Sequence, residues 1–141
     1  MIKITPMYTA KAVGTGGRKG HVKTEDNLID TDVSMPSAMG GNGGKPNPEL
    51  FFAAGYAACF GGALGAVAGD KDITDAEVNS HVSIGKDEDG GFGLAVKLHV
   101  VIPKLNQADA EELVAKAHEV CPYSRATKGN IEVEVTAEGG A

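Results

Sequence analysis

Asn47-Pro48-Glu49-Leu50-Phe51-Phe52-Ala53-Ala54-Gly55-Tyr56-Ala57-Ala58-Cys59-Phe60 and its continuation to Gly69-Asp70 decide how this chain folds. Asn47 is an N-cap residue, Pro48 suits the first helical position, and Glu49 places an acid in the first turn, so a helix opens here. From Leu50 to Gly69 the stretch carries no charge for twenty residues, the length of a bilayer span. Seven of those residues are Ala and five are Gly, which makes the segment only weakly hydrophobic. Glu49 abuts one end, Asp70-Lys71-Asp72 abuts the other, and no second apolar stretch follows. A helix buried inside a soluble oligomer is the expectation, not a membrane span.

On its N-terminal side the pattern is of short strands. Tyr8 to Val13 is followed by the turn Gly14-Thr15-Gly16-Gly17, and His21 to Lys23 and Leu28 to Val33 read as further extended segments. Met35 to Lys45 is a Gly-rich loop. On the C-terminal side, Ala76 to Lys86 and Phe92 to Ile102 alternate as a hairpin, with Phe92, Leu94, Val96, Leu98 and Val100 on one face. Gln107 to Val120 predicts a second helix with Leu113, Val114 and Ala117 inward, which Pro122 terminates. Ile131 to Val135 reads as a last strand. Strands, helix, strands, helix, strand is an α+β order rather than a βαβ repeat.

The length of 141 residues predicts one domain spanning 1–141. Aromatic residues make up only 5% of the chain while Gly accounts for 20 positions, so a monomer would bury little area and an obligate oligomer is expected. The net charge of −6 and the lack of a Lys/Arg cluster argue against nucleic acid. Met1 to Pro6 lacks the apolar core of a signal peptide, which makes the cytoplasm the expected location. Gly14-Thr15-Gly16-Gly17-Arg18-Lys19-Gly20 fails the dinucleotide fingerprint at Lys19. Gly44-Lys45 fails as a phosphate loop at Met39 and Pro46.

Cys59 and Cys121 are the only cysteines. Each alone reads as a small buried hydrophobe. A structural disulfide between them would be worth about 4 kcal/mol but would not persist in a reducing compartment. His21, His81, His99 and His118 are scattered, and only His118 and Cys121 share helical spacing, so no metal is expected. A Cys–His hydrolase and an oxidation sensor without turnover remain open alternatives. A thiol peroxidase needs a cation to lower the pKa of its attacking thiol and a second thiol to trap the sulfenic acid. Arg18, after two glycines, is the best-placed cation. Glu49 suits the helix dipole in any case. Composition and spacing alone reach a redox dithiol and stop there.

Residues 47–60 as quoted, Val120-Cys121-Pro122-Tyr123-Ser124, Thr15-Gly16-Gly17-Arg18, Gly90 to Val96 and Gly129-Asn130-Ile131 resemble, in order, the motifs of the organic hydroperoxide resistance (Ohr) family. The related OsmC family is the nearest alternative. Leu50-Phe51, Arg125 and Lys128 depart from the usual family residues. The resemblance implies an α+β fold whose antiparallel sheets wrap two central helices in an intertwined homodimer. It implies that Cys59 attacks an organic hydroperoxide and that Cys121 condenses with the resulting sulfenic acid. Arg18 would hold the thiolate, with Glu49 orienting Arg18 through a bidentate pair. No cofactor is implied, and the reductant would be a dihydrolipoyl group on a partner protein. Glu49 and Cys59 lie ten residues apart, about 15 Å along a straight helix. That separation predicts either a bend at Gly55 or a site shared with a partner subunit. Gly61, Gly62 and Gly65 suit close approach of two such helices, and Phe51, Phe52 and Phe60 are candidate lining for an alkyl tail.

Overall fold

A computed structural model describes residues 1–140, and the chain divides into two compact units, Met1–Pro48 and Glu49–Ala141.

The first unit is a three-stranded antiparallel meander of β1 (Ala12–Thr15), β2 (His21–Thr24) and β3 (Asp30–Asp32). Ladder pairing begins at Ala12, opposite Thr24, four residues later than the alternation from Tyr8 suggests, because alternation reports extended chain and a ladder needs a partner. Gly16 and Gly17, at φ 74° and 59°, take the left-handed backbone that residues with a Cβ avoid. They turn the chain into the single 3-10 turn Gly17–Lys19, which carries Arg18 between β1 and β2. Across β2 and β3, His21 bridges two carboxylates, Nε2 to Asp30 at 2.6 Å and Nδ1 to Asp32 at 2.7 Å. Lys45 reaches Asp32 as well, at 3.2 Å. Val33 is the buried apolar residue of this unit, whereas Met1, Ile2, Ile4, Met7, Tyr8 and Leu28 all stand in solvent.

The second unit carries the core. The helix predicted from Pro48 is α1 (Pro48–Val67), which runs without interruption through Gly55. The hairpin is β4 (Glu77–Lys86) and β5 (Phe92–Ile102), antiparallel from Glu77 opposite Val101 to Lys86 opposite Phe92. Val96, Leu98, Val100 and Ile102 of β5 point inward. Phe92, on the same alternation, stands 70% exposed beside the turn that joins the two strands. The second predicted helix is α2 (Gln107–Val120), and its Ala110, Leu113, Val114 and Ala117 join the β5 residues in one core cluster. Tyr56, Phe60, Ala63 and Leu64 of α1 join that cluster with Ala68 and Leu105, and Cys121 lies inside it.

Two details depart from the sequence reading. Pro122 does end α2, but it also starts a short helix, α3 (Pro122–Thr127), because proline's fixed φ and missing N–H are as compatible with a first helical position as they are hostile to an interior one. The last strand, β6 (Val133–Gly139), pairs parallel to β5, so this sheet is mixed, not wholly antiparallel. The α2–α3 crossover carries the chain back to the start of β5, which a parallel neighbour requires. The architecture is α+β, as expected.

Candidate functional site

Cys59 sits on α1, one turn after Tyr56, and is half-buried. Cys121 is the junction between α2 and α3 and is completely buried. The residue before a proline is driven out of the helical region, and Cys121 accordingly lies at φ −60°, ψ 123°. Its N–H still closes α2 on the Ala117 carbonyl at 2.8 Å, and its own carbonyl accepts the N–H of Arg125 at 2.9 Å. The side chain therefore leaves the helical track between two helices that are both anchored. The result is that the Cys59 and Cys121 sulfurs stand 3.7 Å apart as free thiols, within sulfur hydrogen-bonding reach. That separation is well beyond the length of a covalent S–S bond, about 2.05 Å.

The electrostatics of Cys59 come from three sources. Burial pushes its thiol above the ordinary value, the backbone N–H of Tyr123 pulls it back down, and the neighbouring Cys121 adds to the rise.

An aromatic cluster stands beside the thiols. Tyr123 packs edge-on against Phe52 with ring centroids 5.9 Å apart and lies 5.6 Å from the ring of Tyr56. Gly55 makes this possible: a Cβ there would stand 2.7 Å from the Tyr123 hydroxyl and 3.2 Å from its ring. Clearance for Tyr123, not a break in α1, is what Gly55 provides. Phe60 is fully buried, with its ring centroid 6.4 Å from that of His118. Phe51 and Phe52 are half-buried on α1.

Polar groups converge behind the cluster. The Tyr56 hydroxyl lies 2.7 Å from Ser124 Oγ and 3.5 Å from Thr127 Oγ1, and His118 Nδ1 lies 2.7 Å from the same Ser124 Oγ. Burial holds the His118 imidazole below its ordinary pKa, the charge of Lys128 adds to this, and Glu119 opposes it. Sequence reasoning did not single out Tyr56, Ser124 or Thr127. The one signal in the sequence that points here is the three-residue spacing of His118 and Cys121. Arg18 is half-buried in the turn of the first unit, and Glu49 is half-buried in the first turn of α1, where its charge meets the positive end of the helix.

Residues 41–136 match the family model described as OsmC-like protein. The chain is 49% identical over 131 residues to the organic hydroperoxide resistance protein OhrB of Bacillus subtilis, covering 92% of this chain and 96% of that one. It superposes on the crystal structure of an organic hydroperoxide resistance protein from Legionella pneumophila with a TM-score of 0.90 and 48% identity, over 95% and 99% of the two chains. For the organic hydroperoxide resistance protein of Elizabethkingia anophelis the TM-score is 0.91 at 45% identity, over 96% and 99%. With a dithiol seated between α1 and α3, and likeness of this extent along nearly the whole chain, the protein belongs to the OsmC-like family, among its organic hydroperoxide resistance members.

Proposed function

We propose that this protein is a thiol peroxidase that reduces organic hydroperoxides to alcohols and so defends the cell against oxidative stress. The observation that carries the reading is the approach of two free thiols, Cys59 half-accessible and Cys121 buried, to 3.7 Å. The half-accessible sulfur suits the attacking role, because a peroxide must reach it. The buried one suits resolution, because it is shielded from the oxidant.

The Cys59 thiolate attacks the outer peroxide oxygen, the O–O bond breaks, and the departing alkoxide takes a proton and leaves as the alcohol. Cys59 is then a sulfenic acid. Cys121 attacks its sulfur, an S–S bond forms, and the hydroxyl leaves as water with the proton from Cys121. A dihydrolipoyl group, on a partner protein or as free dihydrolipoamide, restores both thiols by exchange and becomes a cyclic disulfide. Burial raises the Cys59 pKa, so the attacking thiolate calls for a cation. We assign that part to Arg18, with Glu49 orienting it, on the match of both positions to the family motifs. Phe51 and Phe52 are proposed to take the apolar tail of the substrate, whose burial favours alkyl and lipid peroxides over hydrogen peroxide.

We also propose that the working form is a homodimer in which residues 1–141 act as one domain, located in the cytoplasm, where free thiols persist. Two observations support the dimer. The first unit has almost no buried apolar side chain of its own. On α1, Leu50, Ala54, Ala58, Gly62 and Ala66 form an exposed stripe at four-residue spacing, nearly all small residues that let a second helix approach closely.

The test is consumption of an alkyl hydroperoxide by the purified protein with dihydrolipoamide as reductant. Sustained turnover is expected, abolished by Cys59→Ser and made prone to inactivation by Cys121→Ser. Arg18→Met should move the pH at which Cys59 reacts upward, and Arg18→Lys should move it less. No turnover, with the two thiols never bonding on exposure to peroxide, would overturn the reading.

A further inference from the structure

Three elements meet at one buried hydroxyl. Ser124, on α3, is 1% exposed, and its Oγ lies 2.7 Å from both Tyr56 Oη on α1 and His118 Nδ1 on α2. Thr127 Oγ1, one turn further along α3, lies 3.5 Å from Tyr56 Oη, 3.0 Å from the Tyr123 carbonyl and 3.2 Å from the Ser124 carbonyl. Each hydroxyl has one proton to give. The arrangement that uses every link runs in one direction: His118 Nδ1–H donates to Ser124, Ser124 to Tyr56, Tyr56 to Thr127, and Thr127 to the backbone carbonyls of α3.

The placement of this chain relative to the thiols is what gives it meaning. Cys59 follows Tyr56 by three residues, on the same face of α1. Cys121 lies three residues after His118 and three before Ser124. The chain thus ties together the two backbone segments that carry the sulfurs, on both sides of the break at Pro122. Peroxide attack on Cys59 senses α3 through the Tyr123 N–H, which favours the thiolate. Closing the disulfide depends on α3 more directly, because the sulfur of its leading residue, Cys121, must reach Cys59.

We propose that His118, Ser124, Tyr56 and Thr127 are a positioning network that holds Cys121 within reach of Cys59 and sets the rate at which the disulfide closes. The proposal rests on the peroxidase reading and assigns these residues to its second step. The chemistry is the condensation already written: the S–S bond forms, the S–O bond of the sulfenic acid breaks, and water carries away the hydroxyl with the Cys121 proton. Without the network Cys121 samples more positions, the sulfenic acid lives longer, and a second peroxide molecule converts it to the sulfinic acid.

The test treats the reduced, full-length protein with one equivalent of an alkyl hydroperoxide. Sulfenic acid is followed by dimedone trapping, and disulfide by loss of free thiols. In the wild type, closure must occur. If it does not, the peroxidase reading itself fails, separately from this inference. Relative to sulfenic acid formation, Tyr56→Phe and Ser124→Ala should each slow closure about tenfold, because each removes the Tyr56–Ser124 bond together with one neighbouring link of the network. Because the two side chains share that bond, the double variant should be scarcely slower than either single one. His118→Asn keeps a hydrogen-bonding group at the position of Nδ1 and should close faster than His118→Leu. With excess hydroperoxide supplied in a parallel run, sulfinic acid, read by mass spectrometry, should rise in the order of slowed closure. Equal ratios of closure to attack in wild type and variants would overturn the proposal. So would additive effects in the double variant of folded proteins with cooperative melts.

Discussion

At His118, burial and the charge of Lys128 lower the imidazole pKa from 6.5. The unfolded chain then binds the proton more tightly than the folded one. The stability this side chain contributes is whole above that value and is lost as pH falls through the lowered folded value. At His21 the sign reverses, since its hydrogen bonds to Asp32 and then Asp30 raise the pKa from 6.5. Its contribution is whole below 6.5 and is lost as pH rises through the raised value. Denaturant midpoints measured across about pH 5 to 8 should separate the two. His118→Asn should remove part of the loss on the acid side, and His21→Asn part of the loss on the alkaline side. Unchanged pH slopes in both variants would count against these assignments. Neither histidine was legible as pH-sensitive in the sequence, because His21 finds its partners nine and eleven residues away, across β2 and β3.

At the scale of elements, α2 shows how local chemistry sets a boundary. The side chain of Asn106 accepts the N–H of Asp109 at 2.8 Å, satisfying one of the otherwise unpaired donors of the first turn. Asn106→Ala should therefore cost about 1 kcal/mol in a denaturant melt, and a change within a few tenths would argue that the cap contributes nothing. The bounds of α2 follow from this cap and from Pro122, so they could be read directly. The parallel pairing of β6 could not, because the alternation of a strand says which face is buried but not which way its neighbour runs. Gly55 illustrates the same limit. Its presence in the middle of α1 suggested a bend, whereas its reason lies on a different helix, in the Tyr123 ring that occupies the space of the missing Cβ.

At the scale of the molecule, the proposed dimer follows from what the single chain leaves uncovered. α1 is long and apolar enough to cross a membrane by length and composition. Yet Tyr56, Phe60, Ala63 and Leu64 lie in the core of a folded unit, and a second copy is the proposed cover for the small-residue stripe. Adding four carbons to that stripe tests it: Gly62→Leu has open space within its own chain, so its own fold should tolerate the side chain. Overpacking of a close helix contact costs about 1–3 kcal/mol, and sedimentation should show the dimer loosened by a corresponding shift toward monomer. An unchanged association constant would place the interface elsewhere.

Sequence by itself determined what depends on neighbours along the chain. The opening of α1 at Pro48, the hairpin, the span of α2 and the two cysteine motifs each rest on residues a few positions apart, where caps, alternation and proline act. Tertiary structure alone decided what depends on packing between distant segments. It brought the two sulfurs to 3.7 Å across 62 residues of chain, set Tyr123 into the hollow left by Gly55, and joined Tyr56 to Ser124 across 68 residues. Those contacts form because α1 and the α2–α3 junction bury their faces against a common core, a condition that no local pattern expresses.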